Sequence, residues 1–333
     1  MRIGLVSTMC TAVPPPRAGS VELVVGLLAA ELTRRGHDVT VFAAGDSEPA
    51  GRLVSVLETG YQGNETIWDW QLAEFMQLGR AYEHADELDV ISSHVYCYAL
   101  PFSRLVRTPT VHTFHIGPTP DFVRFYRLYP EGKYLLISEF QRTLFADLPV
   151  AGVVPNGIET SAFPFTEQPG EYLAYIGAFH PNKGPLEAIR AARQAGVPIR
   201  LAGPDSEYFQ QVIAPELDGS DVEFVGEVDH AGKVELLGNA LALIFSSTWL
   251  EACPLVLLES MACGTPVLAT VNGPVPEIVD PPVGGLCVDD AELVPALERI
   301  AGLDRRAVRA LAVERFDVSR MVDGYLRVFE AAT

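Results

Sequence analysis

Short runs of β-branched and other apolar residues alternate with segments of helical periodicity along the whole chain. The first half contains five apolar runs that we predict to be β-strands, at 2–7, 38–43, 89–93, 108–114 and 133–138. Segment 21–37 has apolar residues three to four apart, arginines near its end and a closing glycine, which is the pattern of a helix. Strands that alternate with helices in this way form parallel sheets covered by helices.

A second series of the same kind follows the polar, proline-bearing stretch 161–170, which we interpret as a linker. Its predicted strands are 172–177, 198–203, 222–226, 241–247 and 266–270. The final segment, 319–333, has the spacing of an amphipathic helix. The sequence therefore predicts an α/β protein with two Rossmann-like parallel-sheet domains facing a cleft, in which ligands bind beyond the carboxyl ends of the strands.

The most informative stretch is residues 248–267, TWLEACPLVLLESMACGTPV. We predict that Pro254 begins a helix here, so that Glu251 lies in the preceding loop and Glu259 on the first turns. The unpaired N–H groups of a helix start bind anions, and carboxylates accept hydrogen bonds from hydroxyls. The stretch therefore suits a ligand that carries both phosphate and sugar hydroxyls.

A second motif is AYIGAFHPNKGPLEAI, residues 174–189. A predicted strand ends at Gly177, and Lys183 followed by Gly184 opens the next helix. A lysine near a helix N-terminus is mildly unfavourable because of the helix dipole, unless an anion lies between them. Lys183 is therefore a candidate phosphate ligand, and the alternative is a solvated surface lysine.

The first domain carries weaker signals. The loop after the first strand is rich in proline and leads to Gly19 and Ser20 at a predicted helix start. This helix start is a candidate anion site, although simple capping by Ser20 is a competing interpretation. His94 and His115 each follow the end of a predicted strand, where a lone histidine is more often structural than functional.

Together these motifs resemble the family-4 retaining glycosyltransferases, which have the signature Glu-x7-Glu and the two-domain GT-B fold. The resemblance covers most of the second domain and is patchy in the first. It implies that His115, Lys183 and Glu251 are catalytic and that His94 lies on the acceptor side. The implied donor-binding residues are Gly19, Ser20, Gly177, Lys183, Glu251, Ala252, Cys253, Leu255, Val256 and Glu259.

The resemblance also implies a role for each charged group. Lys183 would contact the donor diphosphate, Glu251 would accept hydrogen bonds from sugar hydroxyls, and Glu259 from the nucleotide ribose. Among the departures from the family pattern, Ala178 replaces an arginine on the diphosphate and Ser20 replaces a glycine. Candidates to replace the arginine, which we leave unranked, are His180, Arg17 and Arg200.

The formal net charge of −19 makes nucleic acid a poor partner and disfavours, without excluding, peripheral contact with an anionic membrane. No segment has the pattern of a signal peptide, and no apolar run approaches the ~20 residues that span a bilayer. Five scattered cysteines favour reduced thiols. We therefore predict a cytoplasmic protein. We interpret Asp289 and Asp290 as surface residues, so no metal or other cofactor is expected.

The expected domains are an acceptor-side domain at 1–162, a nucleotide-sugar-binding domain at 163–315, and a helix at 316–333 that the resemblance implies crosses back to the first domain. The predicted function is metal-independent, retaining transfer of a hexose-type sugar from a nucleotide diphosphate sugar to a hydroxyl of a small-molecule or glycan acceptor. Two alternatives stay open, a non-catalytic nucleotide-sugar-binding subunit and a GT-B-fold sugar-nucleotide epimerase.

Overall fold

The computed structural model describes residues 1–17, 19–145, 147–279, 283–287, 292–300 and 302–333. The chain forms two compact units. The first contains Met1–Gly157 and Val318–Thr333, and the second contains Ile158–Asp317. Each is built on one parallel sheet, and no helix within the described ranges is both long and apolar enough to cross a membrane.

The sheet of the first unit has seven strands. They are β1 (Arg2–Val6), β2 (Asp38–Phe42), β3 (Arg52–Val54), β4 (Val90–Ser93), β5 (Thr110–Phe114), β6 (Lys133–Leu136) and β7 (Val150–Val153). Their order across the sheet is β3-β2-β1-β4-β5-β6-β7, with every pair parallel. The helices of this unit are α1 (Ser20–Arg34), α2 (Trp70–Glu83), α3 (Leu100–Ser103), α4 (Pro120–Tyr126), α5 (Glu139–Leu144) and, from the end of the chain, α12 (Val318–Ala332).

The last helix, α12, is held in the first unit by both apolar and polar contacts. Tyr325 and Phe329 are fully buried. Arg35, the residue that caps α1, donates to Asp323 at 2.6 Å and to the carbonyl of Ser319 at 3.0 Å. The amphipathic pattern of the final segment therefore predicted the helix correctly, because its apolar face is the face that becomes buried.

The second unit has a six-stranded parallel sheet. Its strands are β8 (Leu173–Ile176), β9 (Ile199–Ala202), β10 (Val222–Gly226), β11 (Ala242–Phe245), β12 (Val267–Thr270) and β13 (Gly284–Cys287). Their order is β10-β9-β8-β11-β12-β13. The helices are α6 (Pro185–Ala195), α7 (His230–Gly238), α8 (Leu255–Ala262), α9 (Val275–Ile278), α10 (Leu293–Ile300) and α11 (Arg305–Phe316).

All ten predicted strands are confirmed, and three further strands were not predicted. These three, β3, β7 and β13, each lie at an edge of a sheet. An edge strand pairs on one side only and needs no long apolar run, so its sequence carries little signal. β13 also begins with two glycines, and a β-carbon at Gly284 would overlap the carbonyl oxygen of Val267 on the neighbouring strand.

Candidate active site

Each sheet reverses its strand order at one point, between β1 and β4 in the first unit and between β8 and β11 in the second. Ligands of open parallel sheets bind at such points, outside the carboxyl ends of the strands. The loops after β8 and β11 carry the two motifs that the sequence singled out. In the first unit, the glycine-containing loop follows β1 and His94 follows β4.

Lys183 and Glu251 are in direct contact in the second unit. The Nζ of Lys183 donates to the Oε1 of Glu251, and both side chains are partly buried. Lys183 ends a short helical turn after β8, and Glu251 lies in the loop after β11. The structure thus brings together two of the three predicted catalytic residues as an ion pair.

Hydrogen bonds connect the two loops that carry this ion pair. The carbonyl of Asn182 accepts the N–H groups of Thr248 at 2.9 Å and Trp249 at 3.1 Å. The hydroxyl of Ser246 donates to the carbonyl of Gly184 at 2.6 Å. The loops are therefore joined on both sides of Lys183, which limits the positions that its ammonium group can reach.

The loop after β8 also has internal constraints. The hydroxyl of Tyr175 lies 3.2 Å from the carbonyl of Ala178 and 3.3 Å from that of Lys183. Gly184 has a left-handed backbone with φ of 68°, and a β-carbon there would overlap the carbonyl oxygen of Ser246. Gly177 is the first residue of this loop after β8, and its N–H donates to the carbonyl of Ala202 at 3.0 Å.

The second glutamate of the motif has a partner that the sequence analysis missed. Glu259 is 5% exposed, and its Oε1 accepts a hydrogen bond from the Nζ of Lys233, on α7, at 2.7 Å. The scarcity of lysine was a signal that could have pointed to this partner. The chain has only three lysines, and in the structure two of them pair with the two glutamates of the motif. The predicted ribose ligand thus lies beside a cation.

The segment between the glutamates differs slightly from the prediction. Helix α8 begins at Leu255, and Pro254 is its N-cap with ψ of 104°. The prediction that Pro254 is the first helical residue is therefore wrong by one position, because its backbone is extended rather than helical. Ala252 and Cys253 lie in the loop, and Leu255 and Val256 form the start of the first turn.

At the start of α1 the structure corrects the capping interpretation. Gly19, with φ of 154°, is the N-cap and makes no side-chain capping bond, whereas Ser20 is the first helical residue and is exposed. A carboxylate that the sequence analysis did not consider lies here as well. Glu22 accepts a hydrogen bond from the hydroxyl of Thr8, and burial raises its pKa. A phosphate at this helix start would meet that carboxyl group.

His94 and His115 form a hydrogen-bonded pair in the first unit. The Nδ1 of His94 lies 2.9 Å from the Nε2 of His115, and the Nε2 of His94 lies 3.1 Å from the hydroxyl of Ser92. Burial lowers the pKa of His115 to about 4 and that of His94 well below its usual range. Both imidazoles are therefore neutral at pH 7, and one ring donates its proton to the other.

The three residues that could replace the missing arginine lie in different parts of the fold. Ala178 is exposed, and His180 lies in the same loop, where its Nδ1 accepts a backbone N–H at 3.2 Å. Arg200 is on β9 and donates to Glu223 at 2.9 Å. Arg17 belongs to the first unit. Of the three, His180 is the one that shares a loop with Lys183.

Asp289 and Asp290, interpreted as surface residues, lie outside the described residues. Elsewhere, no group of three or more His, Cys, Asp or Glu side chains among the residues that the structure describes is arranged to hold a metal ion.

Two family models match adjacent parts of the chain. The model described as Glycosyltransferase Family 4 matches residues 21–162, and the model described as Glycosyl transferases group 1 matches residues 159–302. The chain belongs to the family-4 glycosyltransferases. This glycosyltransferase has the GT-B architecture of two Rossmann-like parallel-sheet units.

Its relatives agree with this assignment over the full length of the chain. A phosphatidyl-myo-inositol mannosyltransferase of Mycobacterium leprae is 26% identical, with 99% of this glycosyltransferase and 96% of the relative covered. The crystal structure of AviGT4, a glycosyltransferase involved in avilamycin A biosynthesis, matches with a TM-score of 0.77 and 25% identity, covering 100% and 98% of the two chains. The Anabaena protein Alr3699/HepE, crystallised with UDP and glucose, shares the fold with a TM-score of 0.76 at 19% identity, covering 99% of this chain and 100% of that one.

Proposed function

We propose that this glycosyltransferase moves a hexose-type sugar from a nucleoside diphosphate sugar to an acceptor hydroxyl, with retention of configuration and without a metal ion. The observation that carries the proposal is the contact between Lys183 and Glu251 beyond the carboxyl ends of β8 and β11. A diphosphate needs a cation and sugar hydroxyls need hydrogen-bond acceptors. These two side chains supply both within one site.

The chemistry follows from where charge develops. As the bond between the sugar carbon and the phosphate oxygen breaks, negative charge builds on the diphosphate, where Lys183 and backbone N–H groups would stabilise it. The acceptor oxygen bonds to the same carbon on the face from which the phosphate departs. The hydroxyl proton passes to the leaving phosphate oxygen. Because Lys183 provides the positive charge, the step requires no divalent ion.

His115, in the first unit, does not act as an acid or a base in this scheme. His115 is neutral at pH 7 because burial lowers its pKa to about 4. We assign His115 to neutral hydrogen bonding within the first unit, as in its contact with His94, and not to proton transfer. An imidazole so weakly basic is a poor general base at neutral pH.

Relatives support the donor class. The Mycobacterium leprae relative is named as a mannosyltransferase, and the Anabaena structure contains UDP and glucose. Both are in keeping with a hexose carried on a nucleoside diphosphate.

The test is a thermal-shift screen of UDP, GDP, ADP, TDP and their common sugar conjugates, followed by assay of donor consumption. We expect one diphosphate to raise the melting temperature, the effect to disappear in Lys183→Ala, and the matching sugar conjugate to be consumed in the presence of EDTA. The anomer of the product then decides between retention and inversion. Absence of any diphosphate-specific shift would refute the proposal.

A non-catalytic nucleotide-sugar-binding subunit is the second candidate, because Ala178 leaves an exposed position where the family has an arginine. Such a protein would be stabilised by a nucleotide sugar and would consume none. Introducing the missing cation as Ala178→Arg sharpens the comparison. An enzyme with a weakened donor site should gain affinity for the diphosphate and turn over faster, whereas a pure binding subunit should gain affinity only.

A further inference from the structure

The first unit contains a cavity of about 280 Å³ at the carboxyl ends of its strands. Its walls include Thr8 after β1, His94 after β4 and His115 after β5. The volume is just below that of drug-sized ligand sites, which begin at roughly 300 Å³, so it admits a molecule with a single ring.

The walls of this cavity are mainly apolar. Seven of the eleven described lining residues are aliphatic or aromatic, and none of the eleven is lysine or arginine. The aromatic lining residues form two contacting pairs, with the rings of Tyr61 and Trp70 5.9 Å apart and those of Tyr96 and Tyr98 5.6 Å apart. The ring of Phe75, which is not among the lining residues, packs on Tyr98 at 5.4 Å. The surface is suited to the flat face of an apolar ring.

One carboxyl group lies in this apolar wall. Glu74 on α2 is 2% exposed, and its Oε1 accepts hydrogen bonds from the N–H of Met9 at 3.0 Å and the hydroxyl of Tyr61 at 3.2 Å. Its Oε2 is buried and has no hydrogen-bond partner within the described part of the chain. A buried polar atom without a partner is costly, so a ligand that supplies one is favoured. Burial also raises the pKa of Glu74 to about 7.

We infer that this cavity binds the acceptor and that the acceptor is an uncharged alcohol with an apolar ring, anchored by its hydroxyl to Oε2 of Glu74. The inference rests on the proposed function in so far as the bound alcohol is the group that receives the sugar. The ring lies against the aromatic lining residues, and the carboxyl group selects for a hydroxyl.

The same walls argue against a phosphorylated polyol. A phosphate would lose its water without gaining a cation, because no lysine or arginine is among the lining residues that the structure describes. It would also face the Glu74 carboxyl group. The relatives named for phosphatidyl-myo-inositol and D-inositol 3-phosphate therefore differ from this chain in the acceptor that we infer.

The test measures binding to the full chain without nucleotide, by saturation-transfer NMR with benzyl alcohol, toluene and myo-inositol 1-phosphate. We expect benzyl alcohol to bind about tenfold more tightly than toluene, the difference that one hydrogen bond makes. The inositol phosphate should not compete with benzyl alcohol. Glu74→Leu should abolish the preference for benzyl alcohol while toluene still binds, which shows that the variant retains its cavity.

A matched pair of tryptophans locates the site independently of Glu74. Trp70 lines the cavity and is 42% exposed, whereas Trp68, two residues earlier, is 93% exposed and is not among the lining residues. Trp70→Ala should weaken both benzyl alcohol and toluene at least fivefold, and Trp68→Ala should weaken neither. Equal effects of the two variants, or displacement of benzyl alcohol by the inositol phosphate, would overturn the inference.

These outcomes are separate from those of the donor assay. If a nucleotide diphosphate binds through Lys183 but the cavity takes no neutral ring, the acceptor inference fails and the proposed function stands. If the cavity binds benzyl alcohol through Trp70 but no sugar nucleotide is bound or consumed, the proposed function fails and the cavity is a binding site of another kind.

Discussion

Lys183 and Glu251, 68 residues apart in the sequence, are ion-paired in the second unit. Each therefore neutralises the other until a ligand replaces the contact. A donor with a diphosphate and sugar hydroxyls would give the lysine a stronger anion and the glutamate a hydrogen-bond donor. The ion pair thus keeps both groups in position without leaving either charge uncompensated.

Replacing Lys183 by alanine should weaken nucleoside diphosphate binding at least tenfold and nucleoside binding less than twofold, because in the proposed complex the ammonium group binds the phosphates and not the nucleoside. Isothermal titration of both ligands measures the difference. Lys133→Ala, at the start of β6 in the first unit, is the control and should leave both affinities unchanged. Equal losses for nucleoside and diphosphate would show that Lys183 does not contact phosphate.

Replacing Glu251 by alanine should reduce sugar transfer at least 100-fold while changing the free energy of unfolding by less than about 1 kcal/mol, since a partly exposed ion pair contributes little to stability. Glu223→Ala, which breaks the exposed pair with Arg200, should have a similarly small effect on stability and none on transfer. Unchanged turnover in Glu251→Ala would remove the residue from the active site.

The sequence predicted the central strands and singled out the motifs at 174–189 and 248–267 because those features depend on local pattern. A strand such as β11 is buried along its whole length and is apolar throughout, and Gly184 is required by its own backbone angle. The pairing of Lys233 with Glu259 and the burial of Glu74 depend on how distant segments pack. No local pattern distinguishes Glu74 from an exposed glutamate of a helix.

The left-handed glycine at position 184 allows a prediction with an internal control. Gly184→Ala should destabilise the protein by about 3 kcal/mol or more, because the alanine is strained at φ of 68° and its β-carbon overlaps the carbonyl of Ser246. Gly196 has nearly the same φ, 66°, with nothing within 4 Å of its β-carbon position, so Gly196→Ala should cost only about 1 kcal/mol. Urea unfolding of the two variants makes the comparison, and equal losses would show that the overlap is relieved without cost.

Removing the partner of Glu259 should be more damaging than removing that of Glu251. Lys233→Ala leaves a carboxylate that is 5% exposed without its cation, and we expect a loss of about 2 kcal/mol in the free energy of unfolding. Lys183→Ala, whose partner is less buried, should lose less than half as much. If the two lysine variants are equally stable, the Lys233 contact is not maintained in solution.

The buried carboxyl group of Glu74 should make stability depend on pH in an unusual direction. Burial raises its pKa from 4.5 to about 7, so the folded protein holds this proton over a pH range in which the unfolded chain has released it. The stabilisation is fully present below pH 4.5 and is lost as pH rises through 7. The total loss in the free energy of unfolding is roughly 3 kcal/mol.

Glu74→Gln is the test variant, because its side chain keeps an oxygen that accepts hydrogen bonds from Met9 and Tyr61 but cannot ionise. Urea unfolding at pH 5 and pH 8 should therefore show a loss of roughly 2–3 kcal/mol in the wild type that is missing in Glu74→Gln. Glu22, whose pKa is also raised, is present in both proteins, so the difference between them isolates Glu74. The same pH dependence in both proteins would show that Glu74 is ionised in the folded state.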